Sequence, residues 1–190
     1  MSMSTEVVPQ PVTLAHDNQG DAQYLTFLIK GEMFAINILG VKEIIEYGNI
    51  TPIPMMPSFI RGVINLRGAV VSVVDLNARF GNAPSSITRR SCIVIIEGMH
   101  PDDPEHGNQD IGVVVDSVSE VLTIPCNEIE PPPSFGARIR ADFISGMGKV
   151  NGKFVILINT EKVLSIDEMT QLSELTQQQE RLLEQKQPTP

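Results

Sequence analysis

The chain has 190 residues, of which 42% are hydrophobic and 19% charged, so it can bury a substantial core and is not expected to be disordered throughout. Its formal net charge of −9 argues against nucleic acid as a partner, because phosphate binding requires a basic surface. No apolar run reaches the roughly 20 residues that span a bilayer, which argues against direct membrane insertion. With only two cysteines, Cys92 and Cys126, a disulfide framework is excluded.

The N-terminal segment is polar, interrupted by proline and without the basic start of a secretory signal. It predicts a flexible arm over residues 1–21 of a reduced, cytoplasmic protein. From residue 23 to residue 29 apolar side chains alternate with a period of two, which predicts a strand. Residues 33–38 show the same pattern after a Gly-Glu break, so the two segments predict a hairpin.

A second hairpin is predicted farther along the chain. The proline-rich segment 51–57 excludes a long helix or a central strand at that point. Residues 60–76 then contain two runs rich in β-branched side chains on either side of Arg67-Gly68. Such runs around a glycine-containing turn are typical of a tight hairpin.

The sequence repeats itself weakly but in order. A shift of 84 residues superposes Phe59–Gly62 on Phe143–Gly146 and Arg67-Gly68 on Asn151-Gly152. A shift of 77 residues superposes 35–45 on 112–122. Each match alone is weak, but their preserved order predicts two related β modules, at about 23–81 and about 90–160.

Two modules of about 60 residues are each too small to be stable alone, so we expect them to share a core and to unfold together. Short strands separated by frequent turns favour small closed barrels, which leave few open sheet edges. A polar, proline-broken loop over 98–110 interrupts the second module. We expect this loop to lie outside the core.

The C-terminal segment changes to helical periodicity. Ser165 and Glu168 fit a capping box, and they introduce a predicted C-terminal helix and tail over residues 166–190. One apolar stripe follows at intervals of three residues, formed by Ile166, Met169, Leu172 and Leu175.

Residues that could carry chemistry are few. His100 and His106 lie with several acidic residues in the loop 98–110, but their spacing matches neither a calcium loop nor a helical zinc site. Cys92 lies within a predicted strand and is expected to be a small buried side chain rather than a nucleophile. The sequence therefore predicts no metal, no cofactor and no enzymatic activity.

Arg67 is the residue that folding alone does not explain. Gly68 satisfies the backbone of the turn, whereas a guanidinium at the tip of a rigid hairpin can donate to a partner's carboxylates or carbonyls. Two interpretations stay open at this point, a solvated turn residue and a binding residue. In either case the side chain is expected to point outward and to contribute within about 0.5 kcal/mol to stability.

Several segments, taken together, resemble the CheW family of bacterial chemotaxis adaptors. The similarity spans about 22–165, and its most specific string is the one over residues 62–68, Gly-Val-Ile-Asn-Leu-Arg-Gly. The other matching segments are 34–45, 50–54, 59–61, 75–76, 112–118 and 161–164. The resemblance implies an all-β, CheW-like fold of two intertwined SH3-like five-stranded barrels. The family pattern has proline where Ser72 stands and a shorter loop at 98–110.

The same resemblance implies a non-catalytic adaptor that is recruited to membrane-associated receptor arrays. Its implied partners are the cytoplasmic tips of methyl-accepting chemotaxis receptors and the regulatory domain of the histidine kinase CheA. Residues carried over to receptor binding are Val41, Glu43, Gly62, Asn65 and Arg67, with Gly62 supporting the strand before the turn. Apolar edges are implied for kinase binding, for which we consider Gly112, Val113, Val114, Val115 and Val118.

Related classes are separated by the space that the chain offers. About 25 residues follow Ser165, too few for a receiver domain, and no ATP-binding domain precedes the module. Two alternatives are a CheW-like scaffold of a non-flagellar chemosensory array and an unrelated small β-barrel binding module. A small hydrolase would need an oriented acid, base or nucleophile, and the sequence suggests none.

Overall fold

In the computed structural model, which describes residues 20–98, 109–133 and 139–165, eleven strands form two sheets. Most of the predicted arm, most of the loop 98–110 and the predicted helix over 166–190 lie outside these ranges, so they stay predictions. The strands are β1 (Ala22–Ile29), β2 (Glu32–Asn37), β3 (Val41–Glu46), β4 (Ile60–Leu66), β5 (Ala69–Asp75), β6 (Cys92–Gly98), β7 (Gln109–Val115), β8 (Ser117–Ile124), β9 (Ile129–Glu130), β10 (Ile144–Val150) and β11 (Lys153–Ile158).

Two short helices follow corresponding strands. Helix α1 (Leu76–Arg79) comes directly after β5, and α2 (Thr160–Val163) comes after β11. A side-chain oxygen caps each helix, from Asp75 to the amide of Ala78 and from Asn159 to the amide of Lys162. Single 3-10 turns lie at Ile38–Gly40, Cys126–Glu128 and Ala141–Phe143.

Each sheet combines strands from both halves of the chain. Sheet I has the order β3-β6-β7-β5-β4, so the hairpin β6–β7 from the second half lies between strands of the first half. Sheet II has the order β8-β1-β2-β11-β10-β9, so the hairpin β1–β2 lies between strands of the second half. The predicted all-β, intertwined arrangement is confirmed. Sheet II differs from the expected five strands only by the two-residue strand β9.

The joins between the halves follow the two shifts found in the sequence. Strand β5 pairs in parallel with β7, with Ser72 opposite Ile111. Strand β11 pairs in parallel with β2, with Ile156 opposite Phe34. Adding 84 to Ser72 and subtracting 77 from Ile111 converts the first pair into the second. The two halves therefore exchange equivalent hairpins.

Local backbone features repeat at the same spacing. The turn residues Arg67 and Gly68 have φ angles of 51° and 87°, and Asn151 and Gly152 have 50° and 75°. Both hairpins also contain a bulge four residues or more before the turn, between Ile60 and Gly62 in β4 and between Ile144 and Gly146 in β10. Equivalent sequence thus produces equivalent turns and bulges.

Three apolar clusters fill the molecule. The interior of sheet I contains Ile64, Val71, Val73, Ile93, Ile95 and Val114, and the interior of sheet II contains Ala35, Ile124, Val155 and Leu157. The third and largest cluster, the shared core, lies between the sheets and draws on both halves. Among its buried members are Leu25, Phe27, Phe34, Ile36, Val74, Val94, Val113, Val115, Phe143 and Ile158.

Arg79 joins the two halves at the shared core. Its guanidinium carbon lies 5.0 Å from the ring centre of Phe59 and 4.8 Å from that of Phe143, two residues that the shift of 84 relates. Its Nε donates a hydrogen bond of 3.0 Å to the carbonyl of Val163. Cation–π contacts that are shielded from water contribute about 2 kcal/mol, so this buried arginine stabilises the junction.

Asp75 ties the linker after α1 to sheet I. The carboxylate is fully buried and accepts hydrogen bonds from Arg61 Nε at 3.0 Å and from the amide and hydroxyl of Ser85 at 2.8 and 2.9 Å. A buried charge is tolerated when it is paired and fully hydrogen-bonded, and Asp75 meets both conditions. The same residue therefore caps α1 and anchors the chain as it passes to the second half.

We predict that the described domain unfolds in one transition, because neither sheet contains all of its strands without the other half. Urea unfolding followed by far-ultraviolet circular dichroism and by amide exchange should give a single, coincident midpoint. Two separated transitions, or a fragment 90–190 that folds alone, would contradict this prediction.

Candidate functional site

The β4–β5 turn presents Arg67 at its tip. The left-handed backbone of Arg67 and Gly68 is the conformation that a two-residue hairpin turn requires. Asn65 supports the turn from inside, since its Oδ1 accepts a hydrogen bond of 2.9 Å from the amide of Gly68. Asn65 thus holds the turn that carries Arg67.

The Arg67 side chain forms a two-pronged ion pair with Glu43. Arg67 Nη1 donates to Glu43 Oε1 and Nη2 donates to Oε2, both at 2.9 Å. The arginine side chain is 78% exposed and the glutamate side chain 25%. The structure therefore pairs two residues that the sequence had pointed to separately, and Arg67 points outward as expected but is not simply solvated.

Curvature of sheet I brings the two residues together. Glu43 belongs to β3, at the opposite edge of the sheet from the strand β4 that leads into the turn. Ile45 of β3 and Leu66 of β4 both pack on the interior cluster of sheet I, so the two edges approach each other around one core. The ion pair lies where β3 meets the turn.

Neighbouring residues on β3 are held apart from this pair. Lys42 binds Asp110 at 2.7 Å, and this hydrogen bond raises the pKa of the lysine above its usual value. Val41 begins β3, is half-buried and packs against the shared core. Because Lys42 is engaged by the β6–β7 hairpin, the carboxylate of Glu43 is left to Arg67.

Gly62 is required by the backbone around the site. Its φ angle is 140°, and it lies at the bulge of β4 where Thr51 pairs with Val63. A Cβ atom built at this position would lie 2.1 Å from the carbonyl oxygen of Thr51. Gly62 therefore shapes the strand before the turn and offers no side chain to a partner.

Exposed apolar side chains lie on the elements that carry the ion pair, and the sequence reasoning did not identify them. Val70 is 68% exposed and pairs with Asn65 across the hairpin, and Ile44 follows Glu43 on β3. The signal was present in β5, where Val71 and Val73 alternate with Val70. Because buried and exposed valines look alike in a sequence, only the alternation could have distinguished them.

The residues considered for kinase binding are placed differently from the expectation. Gly112, Val113, Val114 and Val115 lie in β7, which is paired with β6 on one side and β5 on the other, and all four are buried. A strand paired on both edges and packed on both faces has no surface for a partner. Val118 lies on β8, the outermost strand of sheet II, and is half-buried.

Other functional groups were examined across the described ranges. No cluster of three histidine, cysteine, aspartate or glutamate side chains there could hold a metal ion, and the histidines of the loop 98–110 lie outside those ranges. Both Cys92 and Cys126 carry free thiols. Within the described chain, α1 and α2 have four residues each, and no helix is suited to crossing a membrane.

Comparison with known proteins gives consistent matches. A family model described as a CheW-like domain matches residues 23–168. A chemotaxis protein CheW from Klebsiella aerogenes is 33% identical over 77% of this chain and 84% of its own length. Protein FrzA from Myxococcus xanthus is 29% identical over 80% of this chain and 90% of its own length. The crystal structure of the scaffolding protein TtCheW from Thermoanaerobacter tengcongensis superposes with a TM-score of 0.67 at 34% identity, covering 78% of this chain and 90% of that one.

Replacing Gly62 should destabilise the fold, whereas replacing a nearby glycine should not. For Gly62→Ala we expect a loss of about 2 kcal/mol or more, because the methyl group would overlap the Thr51 carbonyl. Gly40→Ala is the control, since a Cβ there meets its nearest neighbour at 3.9 Å. Urea unfolding measures both, and equal stabilities for the two variants would contradict the assigned role of Gly62.

Proposed function

The chain belongs to the CheW-like family, and we propose that it is a non-catalytic chemotaxis adaptor. In this role it couples the cytoplasmic tips of methyl-accepting chemotaxis receptors to the regulatory domain of the histidine kinase CheA. It is a cytoplasmic protein that joins membrane-associated receptor arrays through these two partners. The family match over residues 23–168 supports the general role, and the geometry of the Arg67 turn supports the assignment of the receptor surface.

The ion pair between Arg67 and Glu43 is the observation that carries this proposal. Glu43 engages two of the roughly five N–H donors of the guanidinium, so the remaining donors can bind carbonyl or carboxylate oxygens of a partner. The pair also restricts the arginine to one orientation before binding, which lowers the entropy lost when a partner docks. A preorganised cation on a rigid hairpin suits recognition better than a mobile one.

The proposed receptor surface divides its tasks among the residues. Arg67 donates to the receptor, and Glu43 positions Arg67 while adding a negative charge beside it. Asn65 holds the turn, Gly62 allows the bulge before it, and Val41 contributes a half-buried apolar neighbour at the start of β3. Charged groups at the centre and apolar groups around them are typical of protein interfaces.

We propose the outer edge of β8, in place of β7, as the kinase-facing surface. This strand ends sheet II, so one row of its backbone groups has no neighbouring strand. Val118 and the exposed Val121 lie on it. An edge strand with apolar side chains can dock a partner through its backbone and its side chains together.

Removing the guanidinium should weaken receptor binding without unfolding the protein. We choose Arg67→Asn, because asparagine occupies the equivalent turn position 151 with nearly the same φ angle. Loss of an exposed ion pair should change the free energy of unfolding by less than about 1 kcal/mol. Truncating a central arginine of an interface typically costs about 2 kcal/mol, which corresponds to a thirtyfold weaker receptor complex.

Binding of purified receptor signalling fragments, measured by calorimetry, tests this expectation, with CheA binding measured in parallel. Arg67→Lys should restore little, because lysine keeps the charge but loses the planar fork. Asn151→Ala, at the equivalent turn of the second half, is the matched control and should leave both affinities unchanged. Wild-type receptor affinity in Arg67→Asn would overturn the assignment.

A further inference from the structure

A stripe of apolar side chains runs along the outer face of β11 and ends uncovered. Val155 and Leu157 point into sheet II, so Phe154, Ile156 and Ile158 share the opposite face. Ile158 is buried in the shared core, Ile156 is half-buried, and Phe154 is 52% exposed. Exposure therefore increases from the α2 end of the strand toward the β10–β11 turn.

Phe154 is exceptional among the phenylalanines. The five others in the described ranges, Phe27, Phe34, Phe59, Phe80 and Phe143, are all buried. The equivalent face of β5 in the first half carries Val74, Ser72 and Val70, so a polar side chain interrupts it there. Only the second half therefore presents a continuous apolar stripe, and burial of such a ring would be strongly favourable.

A groove of about 460 Å³ lies beside Phe154, between the β1–β2 turn and the β10–β11 hairpin. Met33 and Met147 line it together with Leu28 and Ile156. Methionine side chains adapt to irregular apolar partners, and a groove of this kind can receive the apolar face of a helix.

Lysines surround this groove although the chain as a whole is acidic, with a net charge of −9. Lys153 lines the groove, Lys149 lies opposite Phe154 across the hairpin, and Lys30 forms the β1–β2 turn. None of the three forms an ion pair with another described residue. An apolar groove with a basic rim fits a segment that is both amphipathic and acidic.

We propose that the C-terminal segment 165–175 of the same chain packs along this stripe and covers Phe154. The sequence of this segment places Ile166, Met169, Leu172 and Leu175 on one helical face and contains three acidic residues but no basic residue. It therefore matches both the apolar groove and the basic rim. This proposal does not depend on the adaptor function.

The stripe begins where the segment begins. Val163 and Leu164 are buried in the shared core with Ile158, and Ser165 follows them directly. From Ile158 back to Phe154 β11 extends about 13 Å, and a helix of ten residues is about 15 Å long. A helix that starts at Ser165 and runs antiparallel to β11 thus has the length needed to reach Phe154.

Hydrogen exchange in the full-length protein tests the proposal. Amides of residues 168–175 should exchange about tenfold or more slowly than in the isolated peptide 165–190. Phe154→Asp should remove this protection, because it places a negative charge against an acidic helix. Val70→Asp, at the equivalent exposed position of the first half, is the control and should leave the protection unchanged.

A stability comparison keeps the test decisive if Phe154→Asp perturbs the sheet. Deleting residues 166–190 should lower the urea midpoint, and Phe154→Asp should lower it in the full-length chain but not in the shortened one. Exchange of 168–175 at the peptide rate in the wild type would overturn the proposal. So would protection that survives Phe154→Asp, or protection that depends on protein concentration, which would indicate a second copy as the source.

Discussion

The two parallel strand pairs, β5 with β7 and β2 with β11, are the contacts on which the rest of the structure depends. They connect an exchanged hairpin to the strands of the other half, so each sheet is completed only when both halves fold together. The functional site inherits this dependence. Glu43 on β3 is linked to the turn of Arg67 through β6 and β7, which come from the second half of the chain. Parallel pairings between distant segments close slowly, and Arg79 between Phe59 and Phe143 stabilises the junction once it has formed.

The same ion pair has different values for folding and for recognition. As an exposed pair it contributes roughly 0–1 kcal/mol to stability, too little to explain why a guanidinium is needed at a turn that Asn151 forms equally well. As a preorganised group at an interface it can contribute about 2 kcal/mol or more. The difference favours recognition as the role of Arg67. A rigid turn on a shared core also explains how a protein can present such a group without catalytic machinery.

Local features were predictable from the sequence, and features that depend on both halves were not. Arg67-Gly68 predicted its hairpin because a two-residue turn depends on its own backbone and on Asn65. The run from Ile111 to Val115 was misassigned to a docking surface, although a continuously apolar strand is typical of burial on both faces. The pairing of Glu43 with Arg67 could not be foreseen, because it depends on how sheet I curves around its core. Residues 59 and 143 matched in the sequence repeat, but nothing in it indicated that Arg79 would lie between them.

The central claim is that Arg67 acts on a receptor and that Glu43 positions it, which a charge exchange tests most directly. The double variant Glu43→Arg with Arg67→Glu retains an ion pair between β3 and the turn but reverses its orientation. Receptor-dependent autophosphorylation of CheA in reconstituted receptor complexes is the measurement. The account predicts unfolding within about 1 kcal/mol of wild type together with loss of receptor-dependent activation. Recovery of wild-type activation in the double variant, after loss in each single variant, would show that the pair is only structural and would contradict the account.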